Sequence, residues 1–186
     1  MTAMPHVQLE IAAANVRPVI FVDMDGVIVT RAAAGWSRRG STGAPRSSRT
    51  NGARRRSPRS LDPGAIKPLN EICQQSGAWV VVSSSWRERM DVRDVLTRYG
   101  FVGAFHTDWK TDSEGPTRSE EIDRWLAGHG APPYLILDDW PQFAIHHYRA
   151  WLRIDSHCGL HWGHVPHALT ILESHRRGRV QEGLRP

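Results

Sequence analysis

The sequence predicts an α/β fold organised around a central parallel sheet. Short, wholly apolar runs of strand length alternate with amphipathic stretches of helix length along the chain. A run that is apolar on both faces suits a strand covered by helices on either side. Three of these runs also stop in polar clusters: Asp23 and Asp25, Ser83 to Ser85, and Asp138 with Asp139. In an open parallel sheet, ligands bind beyond the carboxyl ends of the strands, where such clusters collect. The 186 residues suffice for one domain with a full core and are too few for two comfortable ones.

Taken in order, residues 1–16 form an N-terminal extension before the first strand, which lies in PVIFVDMDGVIVT, Pro18 to Thr30. Apolar residues there run into two aspartates one residue apart. Like charges this close repel, so the pair needs a cation, a shared proton or a phosphoryl group. Residues 31–60 follow as a long insert. Leu61 to Ala78 then carries Ile66, Leu69, Ile72 and Cys73 at helical spacing, with Asp62-Pro63 as a start signal. Trp79 to Val82 is a β-branched strand that ends in the serines. Residues 88–99 give a helix with Val92, Val95, Leu96 and Tyr99 on one side. Thr117 and Glu120 form a capping box for a helix through Leu126, with Ile122, Trp125 and Leu126 inward, closing at Gly128 and Gly130. Tyr134 to Leu137 is a third strand and Trp151 to Ile154 a fourth. A last helix spans Pro166 to His175, and residues 177–186 are a tail. Right-handed crossovers between the strands put the three polar clusters on one rim.

Charge divides the chain unevenly. The formal net charge is +5, yet residues 31–60 alone contain nine arginines and no acid, which leaves the remainder at −4. That insert is rich in Gly, Ser, Pro and Arg and carries neither hydrophobic period, so it reads as a flexible basic loop. No apolar run reaches spanning length, and residues 1–18 are expected to carry no secretory signal. Cys73 and Cys158 stand alone, without metal spacing. The expected location is cytoplasmic. Seven of the ten histidines fall late, from His146 to His175. His146 and His147 are adjacent, and a tetrahedral set with Cys158 would need several coincidences, so solvated histidines, or histidines supporting metal ligands from behind, are expected there rather than zinc. The eight tryptophans are expected mostly in the core, with Trp36 of the insert as the exception.

Four carboxylates converging with hydroxyls make a site for a hard, oxygen-loving cation such as Mg²⁺. A calcium loop is the competing reading of DMDG, but it requires further oxygen ligands where Val27 and its apolar neighbours stand. On sequence alone the serines also fit a plain turn and Trp86 plain packing. Arg118 equally fits a helix-surface charge paired with Glu120 or Glu121.

At DMDGV, VVVSSSW and LILDD the chain resembles the haloacid-dehalogenase (HAD) superfamily of phosphohydrolases. More narrowly, SSSWRERM, TRSEEIDRWL, LILDDW and RIDSHCGL are similar to the HAD domains of the Swiss Army Knife RNA repair proteins, over residues 18–30 and 64–172. The resemblance implies a single Rossmann-like HAD domain at 17–176, interrupted by the insert. It implies Asp23 as nucleophile and Asp25 as acid and then base. Asp23, Asp139 and the carbonyl of Asp25 would hold Mg²⁺, with Asp138 beside them. A hydroxyl, Ser84 or alternatively Ser83, would grip a phosphoryl oxygen. Arg118, or alternatively Lys110, would supply the cation for which the superfamily usually uses lysine.

The insert follows the catalytic strand, where the superfamily carries its mobile flaps. Nine arginines there suggest a polyanionic partner, phosphorylated nucleic acid ends, with Trp36 available for stacking. A phosphatase of nucleotides or sugar phosphates is the alternative. A nucleic-acid-binding module on a decayed scaffold is the non-enzymatic one, against which the intact Asp23, Asp25 and Asp139 argue. No phosphate-binding GxxxxGK[ST] loop occurs, so no P-loop kinase accompanies the phosphatase on this chain.

Overall fold

The computed structural model describes residues 16–30 and 61–183; the arginine-rich insert and its Trp36, and most of the N-terminal extension, lie outside the described residues. Five strands build the sheet: β1 (Val19–Val22), β2 (Trp79–Val82), β3 (Ala104–Lys110), β4 (Tyr134–Asp138) and β5 (Trp151–Arg153). All pairings are parallel, in the order β3-β2-β1-β4-β5, so β1 sits in the middle. Its register aligns Val22 with Val82 on one side and with Leu137 on the other.

Helices α1 (Pro63–Ser76), α2 (Val92–Arg98), α3 (Arg118–Gly128) and α4 (Val165–Gly183) connect and cover the strands. Asp62 caps α1 by accepting the Gly64 amide at 2.8 Å, with Pro63 at the first turn, where its missing N–H costs nothing. The helix stops at Gly77, whose φ of 68° closes a left-handed cap. Thr117 caps α3 by accepting the Glu120 amide.

The sheet buries both faces. Ile20, Val22, Val80, Val82, Leu135 and Leu137 pack with Ile66, Leu69 and Ile72 of α1 and Leu172 of α4. The residues between them, Val19, Phe21, Val81 and Ile136, pack on the opposite side with Ile122, Trp125 and Leu126 of α3. Phe21 meets Trp125 edge-on at 5.3 Å. Fully burying each such large side chain stabilises the fold by about 1.5–3 kcal/mol. Among the described residues no helix is long and apolar enough to cross a membrane.

Four elements differ from expectation. Strand β3 was not anticipated, because AFHTDWK is an edge strand with half-exposed residues and no continuous apolar run. The helix expected at 88–99 is shorter: a 3₁₀ turn at Ser85–Glu88 precedes it and α2 begins only at Val92, because Asp91 caps it by accepting the Arg93 amide. Helix α4 extends beyond the expected Pro166–His175 at both ends. The tryptophans are less uniformly core: Trp86 and Trp125 are buried, but Trp140 and Trp162 are more than half exposed. Cys73 is buried and Cys158 exposed, and both are free thiols.

Candidate active site

Alternation along the strands decides which way the polar termini face. Phe21, Val81 and Ile136 point to the α3 side of the sheet. Asp23, Ser83 and Asp138 each follow by two residues, so their side chains leave the sheet toward α3 as well. Backbone bonds fix the three ends together: the Asp23 amide donates to Leu137 and the Ser83 amide to Val22. All three residues are buried.

Burying carboxylates together requires a counter-charge, and α3 brings it. Its first residue, Arg118, places one guanidinium nitrogen 3.1 Å from Asp23 Oδ2 and 2.5 Å from Asp138 Oδ2. Burial opposes the charge on Arg118, but Asp23 and Asp138 outweigh it and hold the guanidinium well above its ordinary pKa. Burial, and then the neighbouring Asp23, push the carboxyl of Asp138 up; the same causes raise Asp139. One arginine therefore leaves the carboxylates short of positive charge.

The loop after β1 sets the rest. Gly26 has φ +82° and lies so close to Asp139 that an added Cβ would stand 2.2 Å from its Oδ2. Only glycine permits this approach. Asp25 accepts a hydrogen bond from the indole N–H of Trp86 at 3.0 Å, so Trp86 is more than packing. Asp138 also accepts the Trp140 amide at 2.8 Å through its other oxygen.

The expected residues thus fall into two groups. Asp23, Asp138, Asp139 and Arg118 converge, and Asp25 stands on the adjoining loop. Lys110 lies instead at the end of edge strand β3, with its Nζ 5.5 Å from the ring of Trp109. Arg118 is not the surface charge that its helix position also allowed; Glu121 pairs with Arg87 instead, at 2.9 Å. Both Ser83 and Ser84 are buried, and the hydroxyl of Ser83 has no partner within the protein. That orphan oxygen, beside Asp23 in the register, can take a phosphoryl oxygen.

Arg87 was missed in the sequence. It is buried, donates to the carbonyls of Thr111 and Asp112 at 2.8 and 2.7 Å, and thereby ties the 3₁₀ turn to the end of β3 and to α3. Nothing in the spacing of SSSWRERM separates this arginine from its exposed neighbour Arg89. Beside the aspartates opens a cavity of about 740 Å³, lined by Arg118, Ser85, Trp140, Gln142 and Phe143 together with the acids Glu88, Glu120, Glu121 and Asp123.

Oxygens of Asp23, Asp138 and Asp139 lie within 4.8 Å of one another. An all-oxygen set of hard donors, short of positive charge and with an orphan hydroxyl alongside, fits a hard divalent cation. A parallel sheet whose central strand ends in DxD, faced by a second acidic pair and a cation from a following helix, is the architecture of an α/β phosphohydrolase of the HAD type. The chain belongs to the family described as the HAD domain in Swiss Army Knife RNA repair proteins, whose model matches residues 19–165. The function is accordingly of the HAD phosphatase type, a class that generally uses a divalent metal. No curated protein and no solved structure matches the chain.

Proposed function

We propose that the protein is a Mg²⁺-dependent phosphatase that acts through an aspartyl-phosphate on phosphorylated nucleic acid ends. The observation that carries the reading is Arg118 bridging Asp23 and Asp138, which leaves the remaining oxygens of Asp23 and Asp139 for a cation and a phosphoryl group.

Asp23 attacks phosphorus, and an O–P bond forms as the bond to the leaving oxygen breaks. Asp25 gives that oxygen its proton, then takes one from the water that hydrolyses the acyl-phosphate and regenerates Asp23. Trp86, donating to Asp25 Oδ2, aims the carboxyl. Arg118 and the Ser83 or Ser84 hydroxyl offset charge on the phosphoryl oxygens. Mg²⁺, held by Asp23, Asp139 and the carbonyl of Asp25 with Asp138 beside them, would neutralise the carboxylate–phosphate repulsion.

Support for a nucleic acid substrate comes from the insert. It leaves directly after the catalytic loop and carries nine arginines. Trp140, 55% exposed and following Asp139, offers an aromatic face to the leaving nucleoside. A second reading, a small-molecule phosphatase, draws on the four acids of the cavity, which would repel a backbone running through it. A phosphate-release screen separates the two. It would compare 3′- and 5′-phosphorylated oligonucleotides with mononucleotides and sugar phosphates, in Mg²⁺ and in chelator, with Asp23→Asn as the blank. Preference for oligonucleotides supports the first reading, and preference for free small phosphates the second. Release that survives in Asp23→Asn removes both.

A further inference from the structure

We propose a second metal site, of the zinc class, formed by Asp123, His146 and His147 about one and a half turns along α3 from Arg118. Asp123 lies on α3, and the two histidines come from a 3₁₀ turn at Ile145–His147 after β4. The Nε2 atoms of both imidazoles converge on a single oxygen, Asp123 Oδ1, at 2.9 Å from His146 and 3.3 Å from His147. Ligand-capable atoms of all three lie within 4.8 Å of one another. Ligands about 2.0–2.1 Å from a tetrahedral ion stand about 3.3 Å apart, so both nitrogens already stand within a few tenths of an ångström of ligand separation from Asp123 Oδ1.

Two hydrogen bonds to one carboxylate would give similar distances. What favours a metal is the surroundings of His147. It is fully buried, against the expectation of solvated histidines, and its ring is held in place from both nitrogens. Its other nitrogen, Nδ1, meets the hydroxyl of Tyr134 at 2.9 Å. A ligating imidazole characteristically donates its other N–H to an oxygen acceptor, and the Tyr134 hydroxyl is placed to be one. With the ion bound, Nδ1–H donates to Tyr134; without it, Nε2–H turns to Asp123 or the Ser119 carbonyl at 3.3 Å, and Tyr134 donates to Nδ1. Asp123 and His146 both line the cavity, so a fourth position faces open space, as in zinc sites that hold a water or another ligand. Two imidazoles and one carboxylate suit a transition metal such as Zn²⁺, with Co²⁺ as its coloured probe, whereas the all-oxygen aspartate cluster suits Mg²⁺. The donors alone sort two metals onto two sites.

The test uses the full chain, stripped with chelator and returned to saturating Mg²⁺ so that the aspartate cluster is occupied. Zn²⁺ is titrated by calorimetry, and Co²⁺ by its visible absorption. One equivalent of each should bind, with the intense colour of four-coordinate cobalt. His146→Ala and Asp123→Ala change partly exposed side chains, and each should weaken binding at least tenfold. Tyr134→Phe should weaken it tenfold to a hundredfold, the usual effect of losing an outer partner. Asp23→Asn should bind Zn²⁺ as the parent does. No stoichiometric binding in Mg²⁺ overturns the proposal. Unchanged affinity in His146→Ala overturns it too, since the ion then sits elsewhere, and loss in Asp23→Asn would put the ion in the aspartate cluster. None of these readouts depends on phosphatase activity.

Discussion

Replacing Gly26 by alanine tests the site through a residue with no chemistry of its own. The added Cβ would lie 2.2 Å from Asp139 Oδ2 and 2.3 Å from its Cγ, where ordinary contact begins at 3.4 Å. Relief at Oδ2 therefore requires the carboxylate, or the loop carrying Asp25, to retreat by about 1.2 Å. A misplacement of about 1 Å can cost about 10²-fold in rate, and Mg²⁺ tolerates little departure from its octahedral geometry. The backbone effect is separate: alanine at φ +82° costs about 1–2 kcal/mol. A protein of this size should then melt a few degrees lower. The assay is phosphate release from a small phosphoester over a series of Mg²⁺ concentrations, with Mg²⁺ binding by calorimetry and a thermal melt alongside. Gly26→Ala should stay folded, need far more Mg²⁺ and turn over about a hundredfold more slowly. If it melts a few degrees lower yet keeps the parent rate and Mg²⁺ requirement, Asp139 is not a metal ligand and the cluster has been misread.

Four further outcomes follow from the same contacts. Arg118→Ala leaves buried Asp23 and Asp138 without their shared cation and should lower stability by about 3 kcal/mol; Mg²⁺ should recover part of this, and a melt insensitive to both would refute the bridge. Asp139→Ala should raise the Mg²⁺ requirement or silence the enzyme, checked in the same titration. Burial, and then Arg149, hold His175 below its ordinary pKa of 6.5; the unfolded chain thus takes the proton first, and stability contributed by neutral His175 is complete above pH 6.5 and fades as pH falls through the lower native value. Melts of the parent and His175→Gln should accordingly converge from pH 7.5 downward (about pH 5 marks the useful limit, by the ordinary titration range of histidine), and a constant gap would deny the shift. Deleting residues 33–58 with a Gly/Ser bridge removes seven arginines; if three touch a single strand's phosphates, the slope of log affinity against log salt should lose about 2, while release from a small phosphoester barely changes. Unchanged oligonucleotide affinity would leave the small-molecule reading.

Most of the sheet was legible because β1, β2 and β4 are buried on both faces and must be apolar throughout. From those strands the rim followed, and with it the meeting of Asp23, Ser83 and Asp138. Edge strand β3 escaped because one partner and a half-exposed surface impose no such pattern. That Arg118 and not Lys110 meets Asp23 needed three dimensions: each lies at a plausible separation in sequence, but only α3 points its first residue at the end of β1. The pairing of Asp123 with His146 and His147 was hidden for the same reason, since two adjacent histidines signal nothing until a carboxylate on another helix meets them. Gly26 could be read as a turn glycine, but its closeness to Asp139 joins residues more than a hundred positions apart.

The two ends of the arginine-rich insert are stitched together at its base. The Asp62 amide donates to the carbonyl of Ile28 at 2.9 Å, and the Thr30 hydroxyl reaches Asp62 Oδ2 at 3.4 Å. The chain therefore departs and returns at one doorway, and the domain registers only that the doorway is shut. Closing a loop of thirty residues rather than five costs only about 1.6 kcal/mol more. A segment attached at such a base can lengthen, shorten or be exchanged for another while β1 and α1 stay seated. The doorway is also a natural seam: a circular permutant with new termini between residues 31 and 60 would begin at α1 and end at the DxD loop, its central strand arriving last.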